Sequence, residues 1–139
     1  MCGITGLILK PKERPAEEWG LLRCIFTGLL VANEVRGPYA TGVATMALDG
    51  SHRLVKRAIA ARMFIQEAGF AKALAGIDET TTVVMGHTRW PTVGDLNATN
   101  NQPIRCVHVL GTHYAESVIM LSLVDLGLPY LAFLWMYGA

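Results

Sequence analysis

Cys2-Gly3-Ile4-Thr5-Gly6-Leu7-Ile8-Leu9 is the stretch on which the fold turns. It is apolar, of strand length and punctuated by glycine, which reads as a β-strand at the start of the chain. Lys10–Arg14, with Pro11 and Pro15 beside it, is a charged turn. From Ala16 to Asn33 the spacing changes: Trp19, Leu22, Ile25/Phe26 and Leu29/Leu30 recur every three to four residues, predicting a helix. Arg36-Gly37-Pro38-Tyr39 is a turn. Thr41–Leu48 reads as a strand, Asp49-Gly50 as a hairpin signal and Leu54–Ile59 as the pairing strand. Met63–Leu74 predicts a second helix closed near Gly76, and Thr80–Met85 a β-branched strand. Pro91–Pro103 is loop and Cys106–Leu110 a further strand. Strands with two interspersed helices predict an α+β layer structure in a single domain, residues 1–139. Periodicity does not choose its topology.

The chain has 139 residues, 52% hydrophobic and 17% charged, enough to bury a core and unlike a disordered chain. Twelve Lys+Arg against eleven Asp+Glu leave a net charge of +1, which excludes a strong basic footprint for nucleic acid or a polybasic membrane patch. Three scattered cysteines, Cys2, Cys24 and Cys106, make no disulfide framework and no zinc spacing. A reducing, cytoplasmic setting is the simplest expectation. The apolar run at Gly3–Leu9 lacks the preceding basic region of a signal peptide.

Charge is unevenly spread. All Lys and Arg lie at or before Arg105, and residues 107–139 carry only Glu116 and Asp125. Ser117–Tyr137 is almost continuously apolar and long enough for a membrane span, which takes about 20 residues. Asp125 at its middle argues against one, at roughly 2.5–3.5 kcal/mol for a carboxylate at the helix centre. Gly127, Pro129 and the lack of flanking Lys or Arg point the same way, so a buried core segment is the better reading and no membrane association is expected.

Met1-Cys2 stands out on chemistry. Initiator methionine is usually removed before a small residue, leaving Cys2 with a thiol and a free α-amine. Such groups ordinarily titrate at about 8.5 and about 7.7–8.0, so near neutral pH the amine takes the thiol proton directly or through water. That pairs a nucleophile with its base without a histidine. The plainer reading is a small residue that happens to start a strand.

Four segments carry a resemblance. They are Met1-Cys2-Gly3-Ile4-Thr5-Gly6, Arg36-Gly37-Pro38-Tyr39-Ala40-Thr41-Gly42, Gly86-His87-Thr88-Arg89-Trp90-Pro91-Thr92-Val93-Gly94 and Asn100-Asn101-Gln102-Pro103. In this order and spacing they resemble the class II glutamine amidotransferases, most of all the glutaminase domain of the glucosamine-6-phosphate synthase type. The resemblance covers residues 1–113 and leaves 114–139 as a divergent apolar tail. It implies a four-layer αββα fold of the N-terminal nucleophile hydrolases. It also implies hydrolysis of L-glutamine to glutamate and ammonia, with Cys2 as nucleophile and no metal or organic cofactor. The ammonia then goes to a partner chain or is released.

Glutamine offers a carboxylate, an ammonium and a neutral amide. Arg89 presents a planar fork suited to the carboxylate, the role the resemblance implies; the alternative is a surface ion pair. Trp90 walls the pocket or packs in the core. Thr92 and Gly94 meet the substrate or simply make a turn. His87 is kept out of catalysis, and Arg36, Asn100 and Pro103 are read as loop-shaping. In the family an Asn-Gly pair after His supplies the oxyanion hole. Here Tyr114 and Ala115 follow His113. Losing one such donor typically costs about 2.7–4 kcal/mol. Val93 also stands where the synthase-type signature has His, and no acidic segment for the glutamine ammonium follows. A reading-frame change after His113 accounts for these departures, as does a truncated, divergent homologue. A shifted frame that restores Asn-Gly after His113 distinguishes them. A catalytically inactive binding or regulatory domain is the alternative function.

Overall fold

A computed structural model gives the chain's structure for residues 2–91, 95–97, 100–110 and 113–119, the last two spans from residue 105 on as backbone alone. The elements are β1 (Gly3–Ile8), α1 (Ala16–Ala32), a 3₁₀ turn at Asn33–Arg36, β2 (Ala40–Ala47), β3 (His52–Arg57), α2 (Ala61–Phe64), α3 (Ala68–Ala75), β4 (Thr81–Arg89), β5 (Ile104–Leu110) and β6 (His113–Ile119). The protein is α+β, as its sequence predicts. Four strands form an antiparallel sheet in the order β1-β4-β2-β3, and β5 and β6 form a separate antiparallel pair. Among the described residues no helix is long and apolar enough to cross a membrane.

The sheet has two unlike faces because side chains alternate along a strand. Val43 and Val84 point to the helices, where Phe26 and Leu30 of α1, Phe64 of α2, and Phe70 and Leu74 of α3 join them in the core. Gly86 lies on this face. A Cβ there would come within 2.8 Å of Leu30 and 2.9 Å of Thr5, so glycine lets α1 settle close against β4. Thr88 donates its hydroxyl to the Asn33 carbonyl at 2.8 Å, tying the helix end to the sheet. Arg23 reaches from α1 to the carbonyls of Leu74 (2.9 Å) and Ile77 (3.0 Å), satisfying acceptors at the end of α3. Buried Glu34 accepts from the Arg62 backbone N–H at 2.7 Å and from Arg62 Nε at 2.6 Å, which pins the start of α2. Ile4, Ile8, Val83 and Met85 alternate to the opposite face, where Ile8 is 90% exposed.

Two sequence expectations are corrected. The helix predicted over Met63–Leu74 is two helices, with Glu67 extended between them. Phe64 and Phe70 meet edge-to-face in the core, their ring centroids 5.5 Å apart. On one helix, six residues of separation rotate a side chain by about 240°, so both rings reach the core only if the helix breaks. The strand predicted at Thr80–Met85 runs on through Gly86-His87-Thr88 to Arg89. It is a central strand, laddered on both sides by β1 and β2, and that pairing outweighs the weak strand preference of its glycine and polar residues. β6 is an addition to the strands expected from the sequence: His113–Ile119 pairs antiparallel with β5.

Candidate active site

The sheet register assembles the site. Gly3 pairs with Thr88 and Ala40 with Arg89, so residues far apart in sequence meet at one end of the sheet. Cys2 precedes β1 there and is partly buried. Its thiol lies 3.6 Å from the Trp90 carbonyl oxygen, as a weak S–H donor to it. Arg36 Nε donates to the Cys2 carbonyl at 3.2 Å and holds the strand's start in place. Gly37 makes this possible by size. Its φ of -175° suits any residue, but an added Cβ would lie 2.6 Å from the Trp90 nitrogen. The turn thus lies flat on the end of β4, and Tyr39 N–H donates to the Arg89 carbonyl at 3.3 Å.

Arg89 is 8% exposed, not a surface ion pair. Its Nη1 donates to the Asn101 side-chain oxygen at 2.9 Å and to the Asp95 carbonyl at 3.3 Å. The loop thereby fixes the plane of the guanidinium. Trp90 is no core residue either: it is 42% exposed and meets Tyr39 edge-to-face at 5.2 Å. The two rings thus meet at the protein surface, one of them on the residue whose backbone carbonyl faces the thiol.

Asn101 is the residue sequence reasoning missed. It is buried, receives Arg89 on its side chain and receives Lys56 Nζ on its backbone carbonyl at 2.7 Å. Asn100, singled out from the sequence, is the outer residue. Its backbone N–H bonds Asn97 Oδ1 at 2.8 Å and its side chain bonds the Asp95 carbonyl at 3.3 Å, a loop-shaping role as expected. Nothing in two adjacent asparagines says which turns inward. Pro103 packs over Gly42, where an added Cβ would meet its ring at 2.8 Å, and its carbonyl accepts from Lys56 at 3.1 Å. Burial lowers the Lys56 pKa, and these two carbonyls hold its ammonium.

His87 lies one step along the ladder, paired with Ile4 and Gly42. It is 1% exposed, and among the described residues neither ring nitrogen has a hydrogen-bond partner. Burial, with a smaller push from the Arg89 charge, lowers its pKa to about 4, so it is neutral at pH 7. Thr92 and Gly94 lie outside the described residues. Tyr114 and Ala115 lie on β6, their backbones opposite Val109 and His108. The structure thus brings together Cys2, Arg89 and Trp90, and adds Arg36, Tyr39 and Asn101. Among the described residues no group of three His, Cys, Asp or Glu side chains is placed to hold a metal ion. The chain matches no family model, no curated protein and no solved structure.

Proposed function

We propose that the chain is a glutaminase of the class II amidotransferase type, with the four-layer αββα fold of that class. The observation that carries this reading is the convergence of separate sequence segments on one thiol. Cys2, Arg36 with Tyr39, and Arg89 with Trp90 meet at one end of the β1–β4–β2 ladder, and Asn101, from a fourth segment, joins them through Arg89.

The chemistry follows from these groups. With Met1 removed, the Cys2 α-amine takes the thiol proton, and the thiolate attacks the amide carbon of L-glutamine. The amide oxygen becomes an oxyanion. The protonated amine then returns its proton to the leaving nitrogen, and ammonia departs from a γ-glutamyl thioester. Water, deprotonated by the same amine, cleaves the thioester to glutamate and restores the thiol. Arg89, its plane set by Asn101, takes the α-carboxylate, and Trp90 with Tyr39 forms the adjoining wall. Thr92 and Gly94, which the resemblance assigns to substrate binding, lie outside the described residues. No metal or organic cofactor enters these steps, and the ammonia passes to a partner chain or to solvent, with a cytoplasmic setting expected.

The test is glutamate and ammonia formation by the purified chain, with its N-terminus read by intact mass. Loss of Met1 and glutamine turnover that disappears in Cys2→Ala support the reading; turnover unaffected by Cys2→Ala overturns it. Tyr114-Ala115 in place of Asn-Gly favours a second reading, a binding domain without turnover. Calorimetric glutamine binding by a chain that releases no ammonia identifies that case.

A further inference from the structure

The sheet register places Lys56 of β3, Gly42 of β2 and His87 of β4 in one cross-strand row. Directly paired residues point to the same face of a sheet, so Lys56 and His87 stand on either side of a gap left by Gly42. The segment from Asn101 to Pro103 fills that gap. A Cβ at Gly42 would overlap the Gln102 carbonyl oxygen and approach the Pro103 ring to 2.8 Å. Lys56 spans the segment: its Nζ donates to the Asn101 carbonyl at 2.7 Å and to the Pro103 carbonyl at 3.1 Å. One ammonium thus holds both ends of the segment against the sheet.

Arg89 lies two residues beyond His87 on β4 and so on the same face. Its Nη1 donates to the Asn101 side-chain oxygen at 2.9 Å and to the Asp95 carbonyl at 3.3 Å. Asn101 therefore takes Lys56 on its main chain and Arg89 on its side chain. A shift of that main chain by about 1 Å is enough to carry the Arg89 bond out of hydrogen-bonding range. We propose that Lys56 is a positioning residue, which sets the plane of Arg89 through Asn101 and with it the affinity for glutamine. The link to glutamine rests on the reading of Arg89 as the clamp for its α-carboxylate. A fork that grips a carboxylate at two points depends on its plane as well as its charge. The Asp95 carbonyl still holds Arg89 when the Lys56 ammonium is lost, so the affinity should fall about tenfold rather than vanish.

The test uses the full chain carrying Cys2→Ala, which leaves bound glutamine intact, and adds Lys56→Met or Lys56→Arg. Calorimetry compares L-glutamine with L-glutaminamide, in which a neutral amide replaces the α-carboxylate. Lys56→Met should weaken L-glutamine about tenfold and L-glutaminamide hardly at all. Lys56→Arg, which keeps the charge and two donors, should restore most of the affinity. Equal weakening of both ligands, or unchanged binding of L-glutamine, overturns the proposal. A second readout needs no ligand. The Arg89 Nε–H signal in 15N NMR, assigned by its loss in Arg89→Lys, should shift or broaden in Lys56→Met and return in Lys56→Arg. If the chain with Lys56 intact fails to bind L-glutamine, the glutaminase reading falls separately. In that case, or where L-glutaminamide binds too weakly to measure, the NMR signal decides: displacement upholds the action of Lys56 on Arg89, and an unmoved signal overturns it. Should Lys56→Met be unfolded by circular dichroism, Lys56→Gln takes its place. Loss of the fold in both assigns Lys56 to the fold alone and overturns the proposal.

Discussion

Lowering the pH from 7 to 5 should weaken the fold through His87. The imidazole is buried, and its pKa falls from 6.5 to about 4 on folding. The unfolded chain therefore takes up the proton more readily than the folded one. Stability from the neutral ring is complete above pH 6.5 and is lost as the pH falls toward 4. The whole shift corresponds to roughly 3 kcal/mol, of which about 2 kcal/mol is lost between pH 7 and pH 5. The carboxylates of Asp49 and Asp78 titrate below 3.8 and leave this window clear. Urea unfolding followed by circular dichroism at pH 7, 6 and 5 measures the loss. His87→Leu supplies the control, since it removes the titrating group together with two buried nitrogens that have no partner among the described residues. It should be at least as stable as the parent at pH 7 and nearly flat to pH 5. If His87→Leu loses the same 2 kcal/mol or so as its parent, the burial argument for His87 is refuted.

Asn101→Ala removes the side-chain acceptor of Arg89 and should cost about 1–3 kcal/mol in urea unfolding, because a buried charged donor loses one of its partners. It should also weaken glutamine binding by calorimetry, since the guanidinium loses one of the contacts that orient it. Arg89→Lys should fold yet bind glutamine more weakly, because one ammonium cannot reproduce a two-point fork; unchanged binding would remove Arg89 from the carboxylate role. Glu34→Gln should destabilise the fold by about 1–3 kcal/mol in the same unfolding assay, through its three bonds to Arg62. Turnover, where measurable, should rise by about 10²–10³ in Tyr114→Asn with Ala115→Gly, with binding little changed, as one oxyanion donor is restored. A folded double variant that binds glutamine but gains no turnover would place the defect elsewhere.

Local pattern determined a good part of this protein. The first strand, the long helix from Ala16 and the Asp49-Gly50 hairpin follow from periodicity and turn chemistry acting over a few residues. The interest of Cys2, Arg89 and Trp90 also came from the sequence, though their proximity did not. What lay beyond it was set by partners distant along the chain. β4 extends to Arg89 because two neighbouring strands supply its hydrogen bonds. The second helical stretch divides because Phe64 and Phe70 must reach the same core. Asn101 rather than Asn100 turns inward because Arg89 and Lys56 wait on the sheet face beneath. Trp90 and Tyr39 pair only once Gly37 lets the turn lie against the end of β4. A residue's own preferences act within a turn or two, whereas the fit of a buried guanidinium or ring depends on surfaces that only the folded chain brings together.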